Sequence, residues 1–461
     1  MIRWLYALAM TCAQPLLRRR LARRGLLESG YLEAIGERFG LYANPVVAGA
    51  GEADDAGAAL STLTSTTASP SLPAQTGWVW IHAVSLGETR AAAVLLAELR
   101  RQQPDLRLLL THGTATGRAE GLSLLREGDC QVWQPWDAPG AVSRFLDHFK
   151  PRIGILLETE VWPNLTAACR QRGVPLLLVN ARLSAKSLAR ATALAWLARP
   201  AYRALTAVYA QTLDDAHRLA LLGAPVKGVL GNLKFDAEPQ AAVLAHGRDW
   251  RAGWQAACGL PVIAFAVSRE GEEALLLEAI AALSASRRQS VQWLIVPRHP
   301  QRFDGVAALV QASGCRLSRR STWPDSGPPT ATAPSVSPDD GPSVWLGDSL
   351  GEMPLYYALS DVALLGGSFL PLGGQNLIEA AACGCPVVMG PHTFNFAEAA
   401  ANSAAAGSAF KVASMSAALA RAFELVHDPV QLDASRAAAD RFVRLHKGAA
   451  AKTAAAVGRL L

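Results

Sequence analysis

The residues best suited to chemistry fall into four groups, each placed just after an apolar run. Glu88 closes Ser85-Leu-Gly-Glu88. A carboxylate at a tight strand-to-helix turn, partly withdrawn from water, can take a proton from an attacking hydroxyl. Ser-x-x-Glu is also a capping box, so the same residue reads as a helix start. Glu158 and Glu160 follow Ile153-Gly-Ile-Leu-Leu157. Acids in that position need partners or a helix N-terminus to be tolerated. One of the two is expected to face a site and the other a structural partner. Lys234, Arg298 and Arg302, with Arg269 and His299, form a cationic set suited to phosphate or carboxylate, although each taken alone reads as a solvated charge. The last group is Gly366 to Phe396, where Asp361-Val-Ala-Leu-Leu365 runs into two glycine pairs, then Asn376-Leu-Ile-Glu379. That is strand, glycine loop, helix, strand, a unit that offers backbone N–H groups to phosphate. Asn376 with Glu379 alone would be a plain N-cap pair.

The elements that position these groups alternate. Apolar runs at 78–84, 106–110, 132–137, 153–157, 176–179 and 208–211 read as strands separated by helical stretches, and a second series begins at 262–267 and continues at 292–296, 344–346, 361–365 and 386–389. Helices are expected over 89–101, to Arg172, over 271–283 and over 376–383. At 461 residues, 51% hydrophobic, the chain suits two α/β domains better than one. Residues 46–77 and 318–342 are rich in Gly, Ala, Ser, Thr and Pro and read as surface insertions. Gly30 to Gly40 reads as a helix and turn.

The net charge is +6, and residues 1–25 hold six arginines and no acid, so the remainder is formally neutral. That argues against a general nucleic-acid surface. Trp4 to Leu17 is too short and too interrupted, at Gln14-Pro15, for a normal spanning helix, and its flanking charge is wrong for a signal peptide. An interfacial helix on anionic lipid is the expected form, with a signal anchor or a packed amphipathic helix as the other readings. Seven cysteines without a Cys-x-x-Cys pair point to a reduced protein with no zinc site. No Asp-x-Asp stands in a loop fit to hold a metal, so neither metal nor cofactor is expected.

Six motifs in order then carry a resemblance: Trp80-Ile-His-Ala-Val-Ser-Leu-Gly-Glu88, Glu158-Thr-Glu-Val-Trp-Pro-Asn164, Asn180-Ala-Arg-Leu-Ser184, Gly231-Asn-Leu-Lys-Phe-Asp236, Val296-Pro-Arg-His-Pro300 and Gly390-Pro-His-Thr-Phe-Asn-Phe396. Together they resemble the 3-deoxy-D-manno-octulosonic acid (Kdo) transferases, over most of the chain outside the two insertions. The resemblance implies a GT-B glycosyltransferase: two Rossmann-like α/β domains facing across a cleft, with an N-terminal membrane-associating helix. The divisions it implies are an anchor helix over 1–25, an acceptor-binding domain over 26–236 and a CMP-sugar-binding domain over 237–461. It implies Kdo transfer from CMP-Kdo to a lipid A precursor, in lipopolysaccharide synthesis, at the cytoplasmic face of a Gram-negative inner membrane. Its anionic surface would be a partner and nucleic acid would not.

Carried over motif by motif, Glu88 is the general base of an inverting displacement, and Glu158 and Lys234 support the transition state. Pro297, Arg298, Leu350, Gly351, Glu352, Asn376, Leu377, Ile378 and Glu379 match the CMP-binding segments. Two positions depart from the pattern of many members: Gln375 and Arg269 stand where a histidine is common. Neither can do a histidine's proton transfer, whereas Arg269 can still hold an anion. Beside the transferase stand another GT-B nucleotide-sugar enzyme, a UDP-sugar transferase or epimerase, and a non-catalytic membrane lipid-binding protein. The former would prefer a UDP ligand. The latter would tolerate loss of Glu88 and Lys234.

Overall fold

The structure is a computed structural model and describes residues 2–26, 28–42, 77–329 and 341–461. The chain divides into two units, residues 1–236 with 448–461, and residues 237–447.

The first unit is built on a seven-stranded parallel sheet of β1 (Val79–His82), β2 (Leu108–His112), β3 (Cys130–Trp133), β4 (Ile153–Leu157), β5 (Leu176–Ala181), β6 (Ala207–Ala210) and β7 (Val226–Val229). Their order is β3-β2-β1-β4-β5-β6-β7. β1, β2, β4 and β5 are buried throughout, which is why they read as near-continuous apolar runs. Alternation still sorts the faces. Val79 and Ile81 pack into one core cluster with the helix Leu86–Gln102, and Trp80 packs into the other with Phe145 and Leu165. The chain runs outward from β1 through β2 to β3, then returns to place β4 on the other side of β1. The β1–β4 junction is therefore a topological switch point, where loops leave in opposite directions and open a crevice.

The second unit repeats the plan with β8 (Val262–Ser268), β9 (Gln292–Pro297), β10 (Arg316–Arg319), β11 (Ser343–Leu346), β12 (Val362–Leu365), β13 (Val387–Met389) and β14 (Ala409–Lys411). The order is β10-β11-β9-β8-β12-β13-β14, again parallel, with its switch point between β8 and β12.

Several expectations need correction. The insertion expected over 318–342 begins inside β10, and Trp323 is buried, packed edge-on against Trp250 and Trp345. Serine and proline content masked a strand and a core aromatic. Within 318–342, residues 330–340 lie outside the described residues, as do residues 46–76 of the first insertion. The second domain does not run to 461: the helix Ala449–Gly458 buries Ala450, Ala454 and Val457 in the core of the first unit. The single helix expected over 1–25 is two, Ile2–Cys12 and Gln14–Gly25. Leu21 and Gly25 of the second are buried, and Leu21 joins Tyr31 and Phe39 in a small cluster. No helix among the described residues is long and apolar enough to cross a membrane. Gly30 to Gly40 forms two short 3-10 turns, Ser29–Leu32 and Ile35–Phe39, in place of a helix.

Candidate functional site

The sequence places an acid after β1 and another after β4, so the fold brings Glu88 and Glu158 to the same switch point. Ser85 caps the helix Leu86–Gln102, and its hydroxyl donates to Glu88 Oε1 at 3.1 Å. The N–H of Val84 donates to Glu88 Oε2 at 3.0 Å. The capping box is thus real, and Glu88 is also only half-buried. The two readings are compatible, because the carboxylate reaches back over the helix start while keeping access to solvent. Burial raises the Glu88 pKa from 4.5 to about 7, with the neighbouring charges of Glu158 and Glu160 adding to it against the two hydrogen bonds.

Glu158 is buried and left-handed, with φ of 57°. Its Oε1 accepts from Lys234 Nζ at 2.7 Å, and Arg182 Nη1 stands 3.8 Å from Oε2. Both cations reach it from loops after other strands, Arg182 from the end of β5 and Lys234 from the turn Leu233–Asp236. Glu160 takes the indole N–H of Trp162 at 2.9 Å, and burial, with Glu158 nearby, raises its pKa. Of the two acids, Glu158 carries the ion pairs and Glu160 the neutral partner.

Asn180, which in sequence stands out only as one residue of the Asn180–Ser184 motif, fixes this arrangement. It is left-handed, φ 50°, and buried; its Oδ1 accepts from the N–H of Leu233 at 3.1 Å, and Gln211 Nε2 donates to its carbonyl at 2.9 Å. The loop that carries Lys234 is thereby tied to the end of β5. Asp137 was likewise unremarked. It accepts from the N–H groups of Asn164 and Leu165 at 2.9 and 2.8 Å, capping the helix Pro163–Gln171, and Tyr6 donates to it. A lone Asp after a strand gives no sequence signal of that kind.

In the second unit the loops after β8 and β12 meet through Glu272. This fully buried carboxyl accepts from Gly367 N at 2.6 Å, Phe369 N at 3.0 Å and Arg269 N at 3.0 Å. It therefore holds the glycine loop in shape. A Cβ at Gly366 would lie 2.2 Å from the Val267 carbonyl oxygen, so the first glycine pair is needed for close backbone passage. Val267 itself is left-handed, φ 59°, which a β-branched residue rarely adopts. Val267 and Glu158 are thus strained residues at the ends of strands at the two switch points, each costing on the order of 1–3 kcal/mol, while Asn180 is left-handed at the end of β5.

The segments expected to bind CMP divide by access. Arg298 is exposed, and its N–H donates to the Ser268 carbonyl at 3.0 Å; Pro297 is buried at the end of β9. Leu350 is exposed and Gly351 is left-handed, whereas Glu352 is paired with Arg320 at 2.8 Å and bonded to Ser349. Asn376 caps the helix Leu377–Ala382, its Oδ1 accepting from Ile378 N at 3.3 Å. Leu377 and Ile378 are core side chains, so they offer a ligand no side chain, while Glu379 is half-buried. Arg302 corrects the cationic set. It grips buried Glu273 with two bonds, 2.7 and 2.8 Å, and is a structural partner, not a free anion ligand. Lys234 belongs to the first unit, and Arg269, Arg298 and His299 to the second. Burial, then Arg269 and Arg298, lower the His299 pKa.

The family model described as 3-Deoxy-D-manno-octulosonic-acid transferase (kdotransferase) matches residues 33–237. The 3-deoxy-D-manno-octulosonic acid transferase of Bordetella pertussis is 49% identical over 382 residues, 81% of this chain and 85% of that one. That of Haemophilus influenzae is 30% identical over 400 residues, 86% of this chain and 84% of that one. Among solved structures, the UDP-GlcNAc 2-epimerase of Neisseria meningitidis bound to UDP-GlcNAc aligns with a TM-score of 0.53, 16% identity and 83% of this chain on 98% of that one. At that identity the likeness is one of fold, and the fold is GT-B.

Proposed function

The chain belongs to the 3-deoxy-D-manno-octulosonic-acid transferase family, and from that premise we propose how its own residues carry the reaction. It is a glycosyltransferase that transfers Kdo in lipopolysaccharide synthesis. The donor is CMP-Kdo and the acceptor a lipid A precursor. The observation that carries the reading is the meeting of Glu88 with the Glu158–Lys234 pair at the β1–β4 switch point.

Glu88 acts as general base. It removes the proton of a sugar hydroxyl as that oxygen attacks the anomeric carbon of Kdo, and CMP leaves from the opposite side. A carboxylate with a pKa of about 7 is a stronger base than an ordinary one and is still largely ionised just above neutrality. Glu158 keeps the nearby Lys234 ammonium in place, where it supports negative charge developing at the reaction centre. In the second unit, Arg298 and the backbone of the Asn376 turn take the CMP phosphate, and the Leu350–Glu352 segment lies against the nucleotide. No metal or cofactor enters this scheme.

The membrane arm belongs to the same reading. Trp4, Leu5, Leu8 and Leu16 are exposed along the first two helices, and Arg19, Arg20 and Arg23 are exposed beside them. Such a pair of helices suits the interface of an anionic membrane, the cytoplasmic face of the inner membrane.

The test is to incubate the chain with CMP-Kdo and a lipid A precursor, following CMP release and the mass of the lipid. The lipid should gain Kdo, and Glu88→Gln should lower turnover by roughly 10²–10⁴-fold with CMP affinity nearly unchanged. Normal turnover in Glu88→Gln would return that residue to a capping role.

A further inference from the structure

The helices Ile2–Cys12, Pro163–Gln171 and Ala195–Arg203 border a groove of about 710 Å³ in the first unit. Ala167, Trp196, Leu197 and Pro200 line it, with Arg3 and Arg170 at its edge. No acid lines it. Its volume falls within the roughly 300–1,000 Å³ of clefts that hold small ligands. Trp196 is 47% exposed, an unusual position for an indole on a helix that has a partner helix to pack against. Among the described residues, neither arginine stands in a salt bridge.

At Pro163 the groove reaches the residue that directly follows the Glu158–Trp162 loop. The helix Pro163–Gln171 begins where the Glu158–Trp162 loop ends, and Glu160 acts electrostatically on Tyr202 of the third helix. At its other end the groove reaches the helix whose Trp4, Leu5 and Leu8 are exposed.

We propose that this groove is the seat of one acyl chain of the acceptor lipid, with Arg3 and Arg170 on an anionic group of the same molecule. The inference rests on the Kdo-transfer reading and adds a subsite to it. Apolar walls with cations and no acid match a chain attached to a phosphate, and match neither a sugar nor a cationic ligand. The nucleotide sugar has no such chain. A bulk phospholipid has no need of a seat whose wall includes Pro163, next in the chain to the loop of Glu158 and Glu160, whereas an acceptor must deliver its hydroxyl near that loop. Seating a chain in the groove also fixes the sugar's orientation before the hydroxyl meets the base.

Two acceptors separate the possibilities: the lipid A precursor in detergent, and the same phosphorylated disaccharide with its acyl chains removed. Ala167 is half-buried in the groove wall, so Ala167→Phe occupies the space. This variant should raise KM for the acylated acceptor roughly tenfold or more, with kcat and the CMP-Kdo KM within about twofold, and leave the deacylated acceptor's KM within about twofold. Trp196→Ala, at a partly exposed side chain less exposed to folding failure, should act in the same direction. A readout independent of turnover is tryptophan fluorescence with a lipid A precursor carrying brominated chains. The quenching seen with the unaltered chain should fall in Trp196→Phe.

Transfer that proceeds normally, with both KM values moved alike or not at all and quenching unchanged in Trp196→Phe, would overturn the groove. Quenching that depends on Trp196 in a chain that transfers no Kdo would keep the groove as a lipid site and remove the reading of the reaction.

Discussion

At the scale of single residues, Glu88 is held between two demands. Its displacement from 4.5 to about 7 amounts to about 3 kcal/mol of preference for the neutral form. As the proposed base, Glu88 must be ionised, so kcat/KM should rise with pH through an apparent pKa near 7, and that limb should vanish from the residual activity of Glu88→Gln. Stability runs the other way. Between about 4.5 and 7 the folded chain holds a proton that the unfolded chain has lost, so folding weakens as pH rises through that window. Glu88→Gln should therefore melt higher than the unaltered chain at pH 8 and close to it at pH 4.5, a comparison open to thermal denaturation. Lys234 sets a second balance. It and Glu158 are mostly buried, at 15% and 11% side-chain exposure, and removing one partner of such a pair strands the other. Lys234→Ala should cost on the order of 3–5 kcal/mol. The Glu158 charge, then balanced by Arg182 alone, acts more strongly on Glu88 and should also move the kcat/KM limb upward, on the order of one pH unit. A pH–rate profile separates that shift from a simple loss of fold.

At the scale of elements, both candidate sites sit where strand order reverses, and each is held by a buried polar residue that ties two loops together. In the second unit Glu272 does this, accepting from three backbone N–H groups of the glycine loop and from that of Arg269 in the loop after β8. Glu272→Gln turns one acceptor oxygen into a donor facing N–H groups, and should cost about 1–3 kcal/mol and weaken CMP binding. Thermal melts and calorimetric titration with CMP measure the two effects. The same contrast explains what was legible beforehand. Central strands such as β1, β4, β8 and β12 are buried along their length and announce themselves as apolar runs. The strands missed, β7, β10 and β14, are all at sheet edges, short, and carry Lys227, Arg316 and Arg319, or Lys411. Half of such a strand meets water, so its composition reads as loop. Glu88 and Glu158 were visible as acids after apolar runs, and they and Lys234 drew their roles from the motifs that carry the family resemblance. Asn180 and Glu272 act by binding backbone groups that sequence cannot locate, and Arg302 looked free only because Glu273, a helix residue, gave no sign of facing it.

At the scale of the whole molecule, the chain leaves the first unit after Asp236 and re-enters it at Gly448. One residue guards both crossings, for Asp236 accepts from the N–H groups of Gly448 at 2.5 Å and Ala450 at 2.6 Å. The returning helix then buries Ala449, Ala450, Ala454, Ala456 and Val457 in the first unit's core. Those side chains amount to seven carbons beyond Cα, worth on the order of 5 kcal/mol at about 0.8 kcal/mol each. That is comparable with the whole stability of a modest domain, about 5–15 kcal/mol. A chain ended at Lys447 should therefore lose most of the first unit's protection from hydrogen exchange, while β8, β9, β12 and β13 keep theirs. Because the segments proposed to hold the nucleotide, Pro297–Arg298, Leu350–Glu352 and Asn376–Glu379, all belong to the second unit, CMP should still bind with affinity within a few-fold, while transfer is lost with Glu88, Glu158 and Lys234. Loss of CMP binding together with transfer would mean that the donor is not held by the second unit alone, and equal loss of protection in both units would mean that the two do not fold separately.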